Sequence, residues 1–262
     1  MKKIAKEEYG KREVILDVLR GIFIILVMLD HFFYDAGVIY SFKFQTPAFK
    51  GLAEASNVYL ISGYRETVRP IGLFVFFFIS GLVFCFSKNK LKRAIKLSVI
   101  AILLFAVTKV FSLITKTGTT ITFGVMYVFA VSGVIGWALD KIKTKSFVYL
   151  LTAIAVITIG LLYQYKVITF LSEELYFFFH NDIGYAKSAD YYSLFPYLGY
   201  FLAGIFFGAI FYKEKKPRLV FPVGVEKAVS PISFIGKKSL YFYLFSQVAF
   251  IALFELAVIL GA

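Results

Sequence analysis

The stretch Leu16–Asp35, LDVLRGIFIILVMLDHFFYD, reads as one continuous apolar helix, yet it holds Asp17, Arg20, Asp30, His31 and Asp35. Apolar runs of about 18 residues or more mark helices that cross a bilayer. An ionisable side chain near the centre of such a helix costs roughly 2.5–3.5 kcal/mol, and it is found where the helix faces a bundle interior or an aqueous cavity. The segment therefore predicts a membrane helix with one polar stripe turned away from lipid.

The rest of the chain supports that reading. Of its 262 residues 60% are hydrophobic, including 32 Phe and 18 Tyr, whereas soluble domains are close to half apolar. A soluble globular domain is excluded. Seven candidate spans fall at about 15–37, 70–87, 95–114, 121–139, 147–165, 194–212 and 239–260. They predict an all-α, polytopic membrane helix bundle. The first run is too long for the apolar region of a signal peptide, and no small-residue cleavage site follows it. The fifth span continues into QYKVITFLSEELYFFFH (164–180), an aromatic stretch expected along the outer interface.

The formal charge of +13 does not indicate nucleic acid, because no basic patch is interleaved with aromatic residues as a base-stacking platform would be. The basic residues sit instead in short blocks between apolar runs. With a cytoplasmic N-terminus, the inner segments hold 21 Lys and Arg and the outer segments 7. That bias predicts N-in and, with seven spans, C-out. The two long outer segments, 38–69 and 166–193, direct attention to an extracytoplasmic substrate. No internal repeat of the transporter kind is visible. Cys85, the single cysteine, reads as a small buried hydrophobe. One Cys and two distant His, His31 and His180, supply no metal site.

Asp17, Arg20, Ile24, His31 and Asp35 recur at helical spacing and share one face. His31 lies roughly 16 Å along the axis from Arg20, Asp35 is one turn further on, and Asp30 points about 100° away. Asp17 and Arg20 form either an interfacial anchor pair or part of a ligand site. His31 with Asp35 is either a satisfied interhelical contact or a histidine whose tautomer and basicity a carboxylate sets. The second arrangement suits a general base or an acyl acceptor. Gly21 would allow a backbone or a ligand to come close. Lys109 is expected to snorkel outward, Gln247 to donate to a carbonyl, a hydroxyl or another helix, and Glu255 to reach the interface. Arg65 and Arg69 would bind an anion or sit among outer headgroups.

The LDxLRG…H pattern of 16–35 resembles the opening helix of the transmembrane acyltransferases, which include the heparan-alpha-glucosaminide N-acetyltransferase-like and acyltransferase-3 families. FFFISGLVFCFSKNKLKRAIKL (76–97), ITFGVMYVFAVSGV (121–134), ADYYSLFPYLGYFLAGIFFG (189–208) and PISFIGKKSLYFYLFSQ (231–247) are similar, in order, to later segments of the bacterial heparan N-acetyltransferase-like proteins. The resemblance covers nearly the whole chain and implies one transmembrane acyltransferase-like domain over 1–262. It further implies cytoplasmic acetyl-CoA as donor and an extracytoplasmic amino-sugar or hydroxyl acceptor of the cell envelope, in a bacterial plasma membrane.

On the residues, this expectation makes His31, Asp35 and Asp30 catalytic candidates. Asp17, Arg20, Arg93, Tyr127, Asp190 and Gln247 become candidates for binding substrate or donor. The basic run Lys88, Lys90, Lys92, Arg93 and Lys96 would meet either coenzyme A phosphates or anionic lipid. The chain departs from its relatives where they read FGxLH and GxHSLxxYLxHQ, placing Tyr127, Lys238 and Ser246 at the expected histidines. That departure opens the alternative of a non-catalytic descendant of the family. A small-molecule transporter is a third reading. The acceptor, the choice between nucleophile and base for His31, and the oligomeric state stay open.

Overall fold

A computed structural model describes residues 13–115, 120–168, 178–179, 190–212 and 222–262. The described residues form nine α-helices: α1 Val14–Tyr34, α2 Pro47–Leu60, α3 Gly63–Leu82, α4 Lys90–Thr115, α5 Val125–Lys141, α6 Ser146–Gln164, α7 Tyr197–Phe211, α8 Val223–Lys237 and α9 Ser239–Ile259. Among these residues there is no strand, only a lone parallel bridge between Phe123 and Tyr191. The protein is an all-α polytopic helical bundle. Four helices are long and apolar enough to cross a bilayer: α3 with its 3-10 extension to Phe86, α4, α6 and α9. Helix α7 is apolar but shorter. Helix α1 matches α9 in length at 21 residues, but it carries the three charges Asp17, Arg20 and Asp30. Most of the 164–180 stretch, His180 included, lies outside the described residues.

Two segments expected as connections contain helix. Helix α2 fills much of 38–69, and α8 fills the end of the inner connection 213–238. Helix α3 also begins seven residues before the expected span, at Gly63 rather than at residue 70. Its first two turns carry Arg65, Glu66 and Arg69 and lack the apolar run that reveals a span. Pro70 sits inside the helix instead of opening it.

Contacts divide the chain into two compact units, Met1–Gly72 with Lys216–Ala262, and Leu73–Lys215. In the first, α1 and α8 meet backbone to backbone. A Cβ on Gly236 would collide with the Asp17 carbonyl oxygen, and one on Gly21 with the Ile232 carbonyl oxygen. As α1 advances from 17 to 21, α8 retreats from 236 to 232, so the two helices are antiparallel. Helix α9 then returns beside α1. Phe32 packs on Phe250 and Phe254, and Tyr40 on Phe254. Partners rise together from His31–Tyr243 to Tyr40–Phe254, so α1 and α9 run in the same direction.

Beyond α1 the chain makes one π-helical turn, Asp35–Ile39, and folds over a core of Ala36, Tyr40, Phe44, Ala53 and Phe254. Gln45 N–H donates to the Ala262 carbonyl at 2.7 Å. Glu255, expected to reach the interface, is instead held at one oxygen by Tyr40 Oη at 2.9 Å and Lys43 Nζ at 2.8 Å. Burial, reinforced by this carboxylate, raises the Tyr40 hydroxyl above its ordinary pKa and keeps it a donor.

In the second unit, glycines again bring helices together. Gly81 faces the Phe201 carbonyl, Gly204 the Phe78 carbonyl, and Gly199 the Ala153 carbonyl. Phe77 stacks on Phe129 with centroids 4.2 Å apart.

Side chains cannot be inserted where backbones touch. Gly236→Ala is expected to lower thermal stability in detergent by about 1–3 kcal/mol, the usual cost of overpacking. Gly51→Ala, with open space around its helical position, is expected to be neutral or to stabilise by up to about 1 kcal/mol. Melting of the two purified variants beside wild type checks both.

Candidate functional site

The first unit collects the polar stripe of α1. Near its start, Arg20 and Asp17 pair at 3.5 Å, and both side chains are buried. The space left by the absent Cβ of Gly21 is taken by the α8 backbone. The glycine therefore serves helix packing at this point.

Asp30 points to a different set of partners. Arg65, from the first turn of α3, forks onto it, with Nε at 2.5 Å from Oδ1 and Nη2 at 3.0 Å from Oδ2. Tyr59 Oη donates to Oδ1 at 3.3 Å, and Arg65 Nη1 to the Leu60 carbonyl at 3.3 Å. Arg69 and His31 also act electrostatically on this carboxylate. Burial, then the neighbouring Asp30 charge, raises the Tyr59 hydroxyl pKa, so it remains a donor. Bidentate guanidinium–carboxylate pairs fix geometry as well as energy. This one ties α1 to the α2–α3 corner.

His31 lies edge-on to Tyr243 of α9, with ring centroids 5.9 Å apart. One turn beyond, Asp35 opens the π-helical turn and is only 3% exposed. Its Oδ2 has no hydrogen-bond partner among the described residues. The same holds for Gln247 Nε2. Tyr243, Gln247, Phe250 and Phe254 follow one another by four, three and four residues and so share a face of α9. Tyr243 meets His31, and both Phe250 and Phe254 meet Phe32. Gln247 lies between them on the face turned to α1. The α1–α9 seam thus holds His31 and the Gln247 amide, whose Nε2 is unused, while His31 acts on Asp30, and Asp35, one turn further on with an unused Oδ2, acts on Tyr40. Buried polar atoms of this kind are expected to find a partner.

The other candidates belong to the second unit. Tyr127 stacks on Phe123 at 5.5 Å. Asp190 comes so close to the start of α5 that a Cβ on Gly124 would lie 2.9 Å from its Oδ2. The Tyr192 N–H bond to the Phe123 carbonyl, 3.1 Å, fixes that approach. A carboxylate there complements the positive end of a helix. Arg93 is exposed on the first turns of α4. Lys109 lies over the Phe105 ring at 5.4 Å. Among the described residues, no group of His, Cys, Asp and Glu could hold a metal ion.

Sequence reasoning missed Tyr243, Tyr59 and the fork from Arg65. The first had a signal, since it precedes Gln247 by four residues on the same face. The others had none, because they reach Asp30 from elements with no apolar periodicity at that point. A double-mutant cycle on Arg65→Ala and Asp30→Ala is expected to show coupling of about 1–2 kcal/mol, above the range of exposed ion pairs. Thermal unfolding of the four proteins measures it.

Comparison with known proteins bears on this arrangement. The family described as heparan-alpha-glucosaminide N-acetyltransferase, catalytic, matches residues 12–248. The match includes the α1 stripe, Tyr127, Asp190 and Gln247. No curated protein gives a significant match, and neither does any solved structure. Spanning nearly all of the described helices, the match places this chain in the heparan-alpha-glucosaminide N-acetyltransferase catalytic family.

Proposed function

We propose that the protein is an integral membrane acetyltransferase. It takes the acetyl group of acetyl-CoA from the cytoplasmic side and transfers it to an amine or hydroxyl of an extracytoplasmic glycan, in the plasma membrane of a bacterial cell. The observation that carries this reading is the α1–α9 seam, within a chain whose family is an acetyltransferase family.

In this reading the acceptor N–H or O–H gives its proton to His31 as its lone pair attacks the acetyl carbonyl. The carbon–sulfur bond breaks, and coenzyme A leaves as a thiolate that regains the proton from imidazolium. The variant in which His31 itself accepts the acetyl group uses the same geometry in two steps. Asp35, one turn away and buried, steadies the imidazolium charge. Asp30 is engaged by Arg65, so its part is to hold α1 in place and add negative potential near His31. Gln247 Nε2 would donate to the carbonyl oxygen as it gains charge, an oxyanion-hole role. Arg20, oriented by Asp17, serves the donor in the first unit, and Arg93 is a donor-binding candidate of the second. Tyr127 and Asp190 serve a substrate in their own unit.

A second reading has a specific observation behind it. Each position where the family pattern expects histidine is occupied in a structural way. Tyr127 stacks on Phe123, Ser246 Oγ donates to the Tyr243 carbonyl at 3.0 Å, and Lys238 forms the junction of α8 and α9. A descendant that binds ligand without turnover would look the same.

Purified protein in nanodiscs, given acetyl-CoA and a panel of amino-sugar and hydroxyl acceptors, separates the readings. Acetyl transfer is expected to fall at least about 100-fold in His31→Ala and about 100- to 1000-fold in Gln247→Leu. Binding of acetyl-CoA without transfer to any acceptor would favour the non-catalytic descendant.

A further inference from the structure

Acetyl transfer to an amine asks His31 to handle two protons. An amine in neutral water is largely an ammonium, and only its free base attacks. The ammonium and acetyl-CoA therefore yield the amide, the coenzyme A thiol and one free proton. The proton lost during attack reaches the thiolate through His31. The proton lost before attack must leave the site, or His31 stays an imidazolium and cannot act as a base again.

Beyond His31 the first unit holds a line of groups suited to this task. Asp35 lies one turn further on, 3% exposed, with Oδ2 unused. Its carbonyl accepts the Tyr40 N–H at 2.8 Å across the π-helical turn, and its carboxylate acts on the Tyr40 hydroxyl. Tyr40 is 1% exposed, and its Oη donates to Glu255 Oε1 at 2.9 Å. Lys43 Nζ stands 2.8 Å from the same oxygen and 4.9 Å from the centre of the Tyr40 ring, holding both in place. The Glu255 and Lys43 side chains are 40% and 32% exposed. The line thus starts buried and ends at solvent, and the charge bias of the sequence puts that end on the outer side. Rows of intramembrane Asp, Glu and His are the usual parts of proton relays.

The surrounding groups leave this line undisturbed. Helix α2 meets the turn with neutral side chains, Ser56 and Asn57 against Gly37, and Ser56 Oγ is committed to the Leu52 carbonyl at 2.7 Å. Asp30, the other carboxylate beside His31, is engaged by Arg65 and Tyr59 and acted on by Arg69. Burial, then Glu255, then Asp35, keep the Tyr40 hydroxyl protonated. It can therefore carry a proton only by giving up its own as it takes another, with no phenolate formed.

We propose that Asp35, Tyr40 and Glu255 form the exit for the first proton. Imidazolium gives it to Asp35. Asp35 gives it to Tyr40 Oη, directly or through one water, as Tyr40 gives its own to Glu255 Oε1, and Glu255 releases it to the outer solution. His31 is then neutral and Asp35 a carboxylate, the states that attack needs. Tyr40 and Glu255 are relay residues that do not touch the acceptor. The proposal rests on the acetyltransferase reading for its purpose, while the route itself can be measured without turnover.

Infrared spectroscopy of the full chain in nanodiscs follows the carbonyl stretch of the protonated Asp35 carboxyl after a pH jump, with the band assigned by its loss in Asp35→Asn. Proton uptake and release are expected to be at least about tenfold slower in Tyr40→Phe and in Glu255→Gln. Melting of each variant, at two separate positions, guards against a packing defect at one. A wild-type rate in either variant overturns the proposal, as does an Asp35 that takes up no proton at any pH. Acetyl transfer to an amino sugar is measured on the same samples. Both variants are expected to lose about tenfold in kcat with KM for acetyl-CoA unchanged. That loss is expected to shrink as pH rises, because the acceptor then arrives as its free base. Slowed Asp35 exchange with no transfer in any sample keeps the exit and removes the acetyltransferase reading. Transfer with wild-type exchange in the variants keeps that reading and removes the exit.

Discussion

The first unit depends on a contact that leaves no room for a side chain. Helix α8 lies against α1 through Gly236 and Gly21, each facing a carbonyl of the other helix. In a bilayer, lipid tails solvate apolar side chains as well as other side chains do. Helix association there relies on close backbone approach and dispersion. The glycine contact supplies this at the level where α1 carries Asp17 and Arg20. The two charges are thereby enclosed with each other, and the polar stripe is turned toward the bundle.

At the far end of α1 the means are different. Arg65 and Tyr59 grip Asp30, and Tyr40 and Lys43 grip Glu255 of α9. Both carboxylates lie toward the outer ends of their helices, and both are bound by residues that follow α1 in the chain. His31 and Asp35 follow directly on the Asp30 anchor, and here Asp35 Oδ2, like Gln247 Nε2 of α9, is left unused. A helix fixed at both ends by packing and ion pairs can hold such groups in place. Preorganisation of this kind suits the acyl transfer proposed above.

The sequence made the membrane fold legible because hydrocarbon imposes length and composition on every span. It made the α1 stripe legible because charges inside such a helix are rare and follow helical spacing. It did not reveal α2, α8 or the early start of α3. Those segments mix charge with short apolar stretches, and they are helical through contacts rather than through a continuous apolar run. Asp30 shows the same limit. On a helical wheel it sits off the stripe and beside His31, but its partner is an arginine 35 positions later. Glu255 is a parallel case, since its partners lie more than 200 positions earlier.

The sequence by itself determined that this chain is a polytopic helical membrane protein of the heparan-alpha-glucosaminide N-acetyltransferase family, with His31 on its first helix. Periodicity, hydropathy and motif order are local properties and survive reading along the chain. Only the tertiary structure decided which polar groups have partners. It gave Asp30 to Arg65 and left Asp35 Oδ2 and Gln247 Nε2 unused. It also placed Tyr127 and Asp190 in a unit of their own. Hydrogen bonds and ion pairs form within about 3 Å, and that proximity is created by folding between residues the sequence holds far apart.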